Sequence, residues 1–244
     1  MVALVHLNDM ATVAQAGSHA ETLTRDGIVV IDDYLDADVC DEIYESVVEA
    51  AEGGEFDVAG EDPSYADLRN WDGPVVNKRS GSDEGMWDMF NVDHVNDDVA
   101  DVKEDESIAE IISTAADETF SADHINVYWN RSVTNTRGFH ADTYTNKFKS
   151  FVYLTDVPDR SYGPYTYIPG THQMSLAKVK VSELVNKVKG NPSTDAVFYD
   201  ESEAVHCTAP KGTLIISDQS GYHRGYPQEE GRERMILSAA YTPR

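Results

Sequence analysis

After about residue 124 the chain changes its grammar to a series of short apolar, β-branched and aromatic runs, each closed by Gly, Pro, Asn or Asp. The runs are INVYWN, KFKSFVYLTDV, YTYIPG, AVFYD, GTLIISD and RMILSAAYT. Short runs at this spacing predict strands of a closed or sandwiched β architecture, because each is too short to bury its apolar face without neighbours. The first half reads differently. Residues 11–25 predict a helix stopped by Asp26-Gly27, and Ile28 to Ile31 a short buried strand. Asp36 to Glu52 predicts a second helix with Val39, Ile43, Val47 and Val48 on one face, and Asp105 to Thr119 a third with Ile108, Ile111, Ile112 and Ala115. Residues 53–105 are polar and weakly periodic. The expected plan is a mainly β protein with flanking helices, N-terminal helices packing outside a C-terminal barrel. No repeat or linker divides it, so residues 1–244 are read as one domain, with 1–120 mostly helical flank and 121–244 most of the barrel core.

Charge narrows the partners. The sequence carries 19 basic and 44 acidic residues, net −25, and 26 of the acids lie in residues 31–110 against only 4 bases. Nucleic acid and anionic membrane surfaces are repelled by such a chain. The clustering points to a solvated helical flank or a cationic partner, since salt adaptation would spread acids more evenly. There is no long apolar run and no basic segment ahead of one at the start, which predicts a cytoplasmic protein. Cys40 and Cys207 lie too far apart for a metal or redox motif and are expected to be buried small hydrophobes.

Three positions carry the chemistry. His140 and Asp142 are two apart, so on an extended strand imidazole and carboxylate point the same way. His223 follows the apolar run 212–216 and completes two histidines and one carboxylate. That set occupies one face of an octahedron and leaves three positions for a chelating co-substrate and O₂, the arrangement of non-heme Fe(II) oxygenases. A closed zinc site is disfavoured because no thiolate is spaced for it. Arg234 opens the run Met235 to Tyr241, apolar on both faces, where a guanidinium needs a partner. Its fork suits a carboxylate in two-point contact, either a ligand's or an internal acid's, and Arg232 is its rival.

The runs Arg137-Gly138-Phe139-His140-Ala141-Asp142, Phe151 to Val157 and Gly163 to His172, followed by His223 and Arg234, resemble the phytanoyl-CoA dioxygenase family of Fe(II)/2-oxoglutarate oxygenases. Leu23 to Ile31 is similar to that family's N-terminus; the likeness is poorest over residues 53–120. The resemblance implies a double-stranded β-helix (jelly roll, cupin-like barrel), with His140, Asp142 and His223 binding Fe(II) and Arg234 holding the distal carboxylate of 2-oxoglutarate. It implies an oxidoreductase, a dioxygenase that consumes O₂ and 2-oxoglutarate, releases succinate and CO₂ and hydroxylates a small or medium-sized metabolite. Related halogenases have a small residue at the carboxylate position; Asp142 favours oxidation without halide.

Further residues are placed around the site. Asn126, Tyr128 and Asn130 alternate with Val127 and Trp129 and face either the barrel interior or solvent. Lys149 and Tyr153 share a strand face; with Asn126 and Arg234 they are the candidate contacts to co-substrate or substrate, the alternative being a surface lysine and a packed tyrosine. Arg137 meets either an anionic substrate or the acidic flank, His172 either pins a loop or touches substrate, with the former preferred, and His6, His19, His94, His124 and His206 take ordinary roles. A cupin-like metal enzyme without 2-oxoglutarate, with Arg234 facing away from the metal, is the alternative; a barrel without catalysis is a second. An amine, amino acid or neutral natural product is the preferred substrate, because no basic cluster suits the phosphates of an acyl-CoA.

Overall fold

The computed structural model describes residues 10–60 and 63–244, so His6 lies outside the described residues. In chain order the elements are α1 (Met10–Asp26), β1 (Ile28–Ile31), α2 (Ala37–Gly53), β2 (Asp57–Val58), α3 (Tyr65–Arg69), β3 (Val75–Lys78), β4 (Met86–Phe90), α4 (Asp97–Glu104) and α5 (Glu106–Ala116). There follow β5 (Phe120–Arg131), β6 (Phe148–Tyr153), β7 (Tyr165–Tyr167), α6 (Leu176–Lys189), β8 (Val205–His206), β9 (Leu214–Asp218), β10 (His223–Gly225) and β11 (Glu233–Pro243). Eight strands form one sheet in the order β1-β9-β6-β11-β5-β4-β3-β2, and β10-β7-β8 form a second. Every pairing is antiparallel except β2 with β3.

The centre of the large sheet is buried on both faces, which is why β11 reads as a continuous apolar run rather than an alternating one. Pleat parity sorts its side chains. Met235, Leu237, Ala239 and Tyr241 point into a core shared with α1, α2, α4 and α5, through Leu23, Ile43, Val47, Val99, Ile108 and Ile112. Ile236 points the other way and meets Phe151 and Tyr153 of β6, Ile215 of β9 and Tyr165 and Tyr167 of the small sheet. The two sheets thus close over a second, aromatic-rich core. Each such side chain contributes about 1.5–3 kcal/mol when removed from water. Cys40 and Cys207 are both free and buried, and burial pushes their thiols up to about 11 and about 12.

The helices follow local signals. Cys40, Ile43, Val47 and Ala50 are the buried face of α2, which stops at Gly54 in the left-handed region, φ 79°. The Asp105 carboxylate caps α5 by accepting from the Ser107 amide at 2.8 Å. Three expectations change. Residues 53–105 hold β2, β3, β4, α3 and α4, so β1 to β4 give the first 120 residues four of the eight strands in the large sheet. AVFYD is not a strand: Phe198 sits at φ 59° in an irregular segment. Before it lies α6, whose buried face carries Ser182 and Asn186 while Leu176, Val181, Leu184 and Val188 are exposed, an inverted pattern that conceals a helix from periodicity. Among the described residues no helix is long and apolar enough to cross a membrane.

Candidate metal centre

His140 and Asp142 sit in the connection between β5 and β6, not in a strand as their spacing suggested. What aligns them is an isolated bridge between His140 and His223 and one further backbone bond from Asp142. The His140 amide donates to the His223 carbonyl at 3.0 Å, the His223 amide returns a bond to the His140 carbonyl at 2.9 Å, and the Asp142 amide donates to the Gln219 carbonyl at 2.9 Å. The loop is therefore paired to β10 and the turn before it, and the i, i+2 geometry of a strand is recreated without one.

Potential ligand atoms of His140, Asp142 and His223 lie within 4.8 Å of one another. Asp142 Oδ1 is 3.9 Å from His140 Nε2 and 3.7 Å from His223 Nε2. Each imidazole donates its Nδ1–H to a backbone carbonyl two residues earlier, His140 to Gly138 and His223 to Gly221, both at 2.9 Å. This fixes the tautomer and leaves both Nε2 lone pairs aimed at one point. Burial, with the neighbouring His223, lowers His140 to about 4, so it is neutral and able to ligate near pH 7. Burial opposes ionisation of Asp142, but the Lys149 ammonium, with Lys147 behind it, outweighs burial and holds the carboxyl well below its usual range. Two imidazoles with their Nε2 atoms free and one carboxylate fit an octahedral cation with three open positions. Lys149 Nζ is 2.9 Å and Lys147 Nζ 3.4 Å from Asp142 Oδ2, the oxygen turned away from the histidines.

The turn from Asp218 to Tyr222 is tied to the N-terminal helix. The Asp218 amide donates to the Gly27 carbonyl at 2.9 Å, and Tyr167 donates its hydroxyl to the Asp218 carbonyl at 2.9 Å. His172 Nε2 and Gln173 Nε2 both donate to the Thr24 carbonyl, at 3.0 and 2.8 Å, so His172 pins the end of α1. A Cβ on Gly27 or Gly221 would collide with the Tyr167 hydroxyl, which explains a glycine at each.

The three candidate ligands line a cavity of about 380 Å³ together with Tyr128, Asn130, Lys149, Phe151, Tyr165, Gln219, Arg234 and Ile236. Arg234 is 4% exposed, donates to the Gly163 carbonyl and makes no ion pair with any described carboxylate; its Nε has no partner. Arg232 points elsewhere, donating to the Tyr162 hydroxyl at 3.1 Å over that ring. The face carrying Asn126, Tyr128 and Asn130 is interior. Two expected contacts are otherwise engaged: Tyr153 donates its hydroxyl to the Cys207 carbonyl at 2.8 Å and accepts from the Tyr165 amide, and Asn126 donates to Asp88 Oδ1 at 2.7 Å. Neither is among the residues lining the cavity. Arg137 lines it and pairs at 2.6 Å with Asp195, outside the acidic flank.

One polar group escaped the sequence reading. Asp88, 0% exposed in β4, accepts from Tyr65 at 2.8 Å, Asn126 and Arg79 at 3.2 Å. Burial raises its carboxyl in spite of Arg79. Its signal was a single acid inside MWDMF, an apolar pentad in which a carboxylate needs partners. Through it Tyr65 and Arg79 are held at the cavity wall.

No protein-family model and no curated protein sequence matches the chain. Solved structures do. The protein EctD from S. alaskensis with bound Fe aligns at 18% identity and TM-score 0.64, over 99% of this chain and 80% of its own. The epimerase SnoN in complex with Fe³⁺, α-ketoglutarate and nogalamycin RO aligns at 18% identity and 0.62, over 95% and 84%. HygX from Streptomyces hygroscopicus with nickel and 2-oxoglutarate aligns at 10% and 0.58, over 93% and 86%. The chain has the fold of these metal- and 2-oxoglutarate-binding proteins. At these identities the likeness speaks for architecture alone.

Proposed function

We propose that this chain is a non-heme Fe(II)- and 2-oxoglutarate-dependent oxygenase, similar to the phytanoyl-CoA dioxygenase family. It acts as one jelly-roll domain that oxidises a small or medium-sized metabolite in the cytoplasm, most simply by hydroxylation. The observation that carries the reading is Arg234: a buried guanidinium without a carboxylate of its own opens on the same cavity as two histidines and an aspartate whose ligand atoms converge. A cupin-like enzyme without 2-oxoglutarate has no use for that cation, and a barrel that binds no metal has none for the triad.

His140 Nε2, His223 Nε2 and Asp142 Oδ1 would hold the iron on one face. Bound there with 2-oxoglutarate, iron would activate O₂, which is the oxidant: one oxygen atom would go into succinate as CO₂ leaves and the other to the substrate. The protein's own work is orientation. Arg234 meets the distal carboxylate of 2-oxoglutarate in a fork-to-fork contact. Lys149 engages Asp142 Oδ2 and leaves Oδ1 for the metal. Phe151, Tyr165 and Ile236 give the cavity apolar walls that exclude water.

The test is anaerobic titration of the metal-free protein with Fe(II) and then 2-oxoglutarate, followed by visible absorption of the chelate. A charge-transfer band that is lost in His223→Ala and displaced to higher 2-oxoglutarate in Arg234→Met is the expected result. Iron bound with no band would overturn the 2-oxoglutarate assignment; no iron bound would overturn the metal centre.

A further inference from the structure

The cavity holds one charge that nothing answers. Of the cations on its wall, Arg79 pairs with Asp88 at 3.2 Å, Arg137 with Asp195 at 2.6 Å and Lys149 with Asp142 at 2.9 Å. Arg234 is left for the co-substrate in the reading above. Of the acids on the wall, Asp142 belongs to the metal centre, and the other is Asp83. Among the described residues the Asp83 carboxylate has no ion pair and no side-chain hydrogen bond.

Its position is fixed. Asp83 lies in the turn between β3 and β4 at φ 70°, a left-handed conformation that Asp tolerates better than most residues. Its amide donates to the Asn135 carbonyl at 2.8 Å and its carbonyl accepts from the Met86 amide at 3.0 Å, so the backbone cannot swing the side chain away without breaking the turn. Met86 in turn faces Asn130 across the β4–β5 ladder. Asn130 lines the same cavity, is 5% exposed, and its side-chain carbonyl Oδ1 is buried without a hydrogen-bond partner. A buried acceptor left unmet in the free protein costs free energy that a donor-bearing ligand recovers. The cavity lining thus offers an uncompensated carboxylate and an unmet acceptor, both seeking N–H donors.

We infer that the substrate carries a protonated amine, bound by the Asp83 carboxylate with the Asn130 side-chain carbonyl as a further acceptor. The inference rests on the oxygenase reading for what happens to that substrate, but not for its binding. An ammonium supplies the missing positive charge and three donors, whereas a carboxylate or phosphate would meet Asp83 with like charge. N-acetylation removes the charge and leaves a single donor.

The experiment has two arms, both with putrescine, lysine, N,N′-diacetylputrescine, Nα,Nε-diacetyllysine and butyrate as probes. Saturation-transfer NMR on the metal-free protein reads binding directly; the anaerobic Fe(II)–2-oxoglutarate band reads approach to the metal. The free amines are expected to bind and perturb the band while acetylated forms and butyrate do not. In Asp83→Asn, half-saturation by amine is expected to rise at least about tenfold, the loss of a charged hydrogen bond, with 2-oxoglutarate half-saturation unchanged. Equal binding of free and acetylated amines, preference for butyrate, an unaltered Asp83→Asn, or no amine binding would each overturn the inference. Absence of the band in the unmodified protein would remove the oxygenase reading instead, and the NMR arm would still decide the amine.

Discussion

The two carboxylate oxygens of Asp142 are divided between different tasks: Oδ2 lies 2.9 Å from Lys149 Nζ, and Oδ1 lies 3.7 Å from His223 Nε2. The ammonium thereby decides which oxygen a metal can take, and disfavours capture of both. Lys149→Met is expected to leave the fold intact and weaken metal affinity about 10–100-fold, as loss of a ligand's outer partner does. Calorimetric titration with Mn(II) would check this, and unchanged or tighter binding would show that Lys149 does not orient the ligand.

The same pair has a stability signature. Asp142 and Lys149 are both largely buried, with side chains 20% and 18% exposed. Asp142→Asn leaves the lysine charge without its partner, at an expected cost of about 3 kcal/mol. His223→Asn leaves no such charge. Thermal melts of metal-free protein should therefore rank Asp142→Asn below His223→Asn, with Lys149→Met restoring part of the loss when combined with Asp142→Asn. A simply additive double variant would refute the coupling.

Arg234 predicts opposite effects on stability and binding. Burial lowers its pKa, and no carboxylate offsets the cost. Arg234→Met should raise the melting temperature of the free protein, by about 1 kcal/mol or more of stability, while raising the 2-oxoglutarate requirement at least about tenfold. Arg232→Met, removing a cation stacked on Tyr162, should do neither. A destabilised Arg234→Met would mean the guanidinium is part of the scaffold.

The pH dependence follows from the histidines. Burial lowers His19, His124, His140 and His206, with His140 brought to about 4 from 6.5. Folded-state values below the unfolded one mean that the unfolded chain takes up protons first. The stability these groups provide is complete above pH 6.5 and is lost as pH falls towards about 4. Melting temperature of the metal-free protein should decline over that window, less steeply in His140→Gln. A flat profile between these limits would contradict the burial of the imidazoles.

Gly221→Ala tests the turn that carries His223. The added methyl would run into the Tyr167 hydroxyl, and the turn that must move holds the carbonyl receiving His223 Nδ1–H. The variant should fold but lose metal affinity, and Tyr167→Phe in the same chain should recover part of it. Metal binding unaffected by Gly221→Ala would show that the turn relaxes freely.

Much of this was legible because chemistry and periodicity agreed. β11 and β5 announced themselves by long apolar and aromatic runs, and His140, Asp142 and His223 by being the residue types a facial site needs. The strand expected under His140 was missing because the pairing that aligns it is long-range, to His223 and Gln219, and leaves no local trace. β4 was hidden by Asp88, whose burial depends on Tyr65, Arg79 and Asn126, residues that proximity in sequence does not bring together. Helix α6 was hidden because its apolar residues face solvent. Asn126 and Tyr153 had the right parity for the cavity but were claimed by Asp88 and by backbone groups, a competition that a face pattern cannot express.

The bonds from His172 and Gln173 to Thr24, and from Asp218 to Gly27, carry a practical corollary. The N-terminal helix resembles a removable flank, yet its last turn is stitched to His172 and Gln173, and Gly27 just beyond it to the turn that presents His223. A version of the chain begun at Ile28 would lose both stitches and relax at the ligand turn. Trimming or fusing at this end is therefore an alteration of the candidate metal centre made from a distance, and measurements on such derivatives would understate what the intact chain can bind.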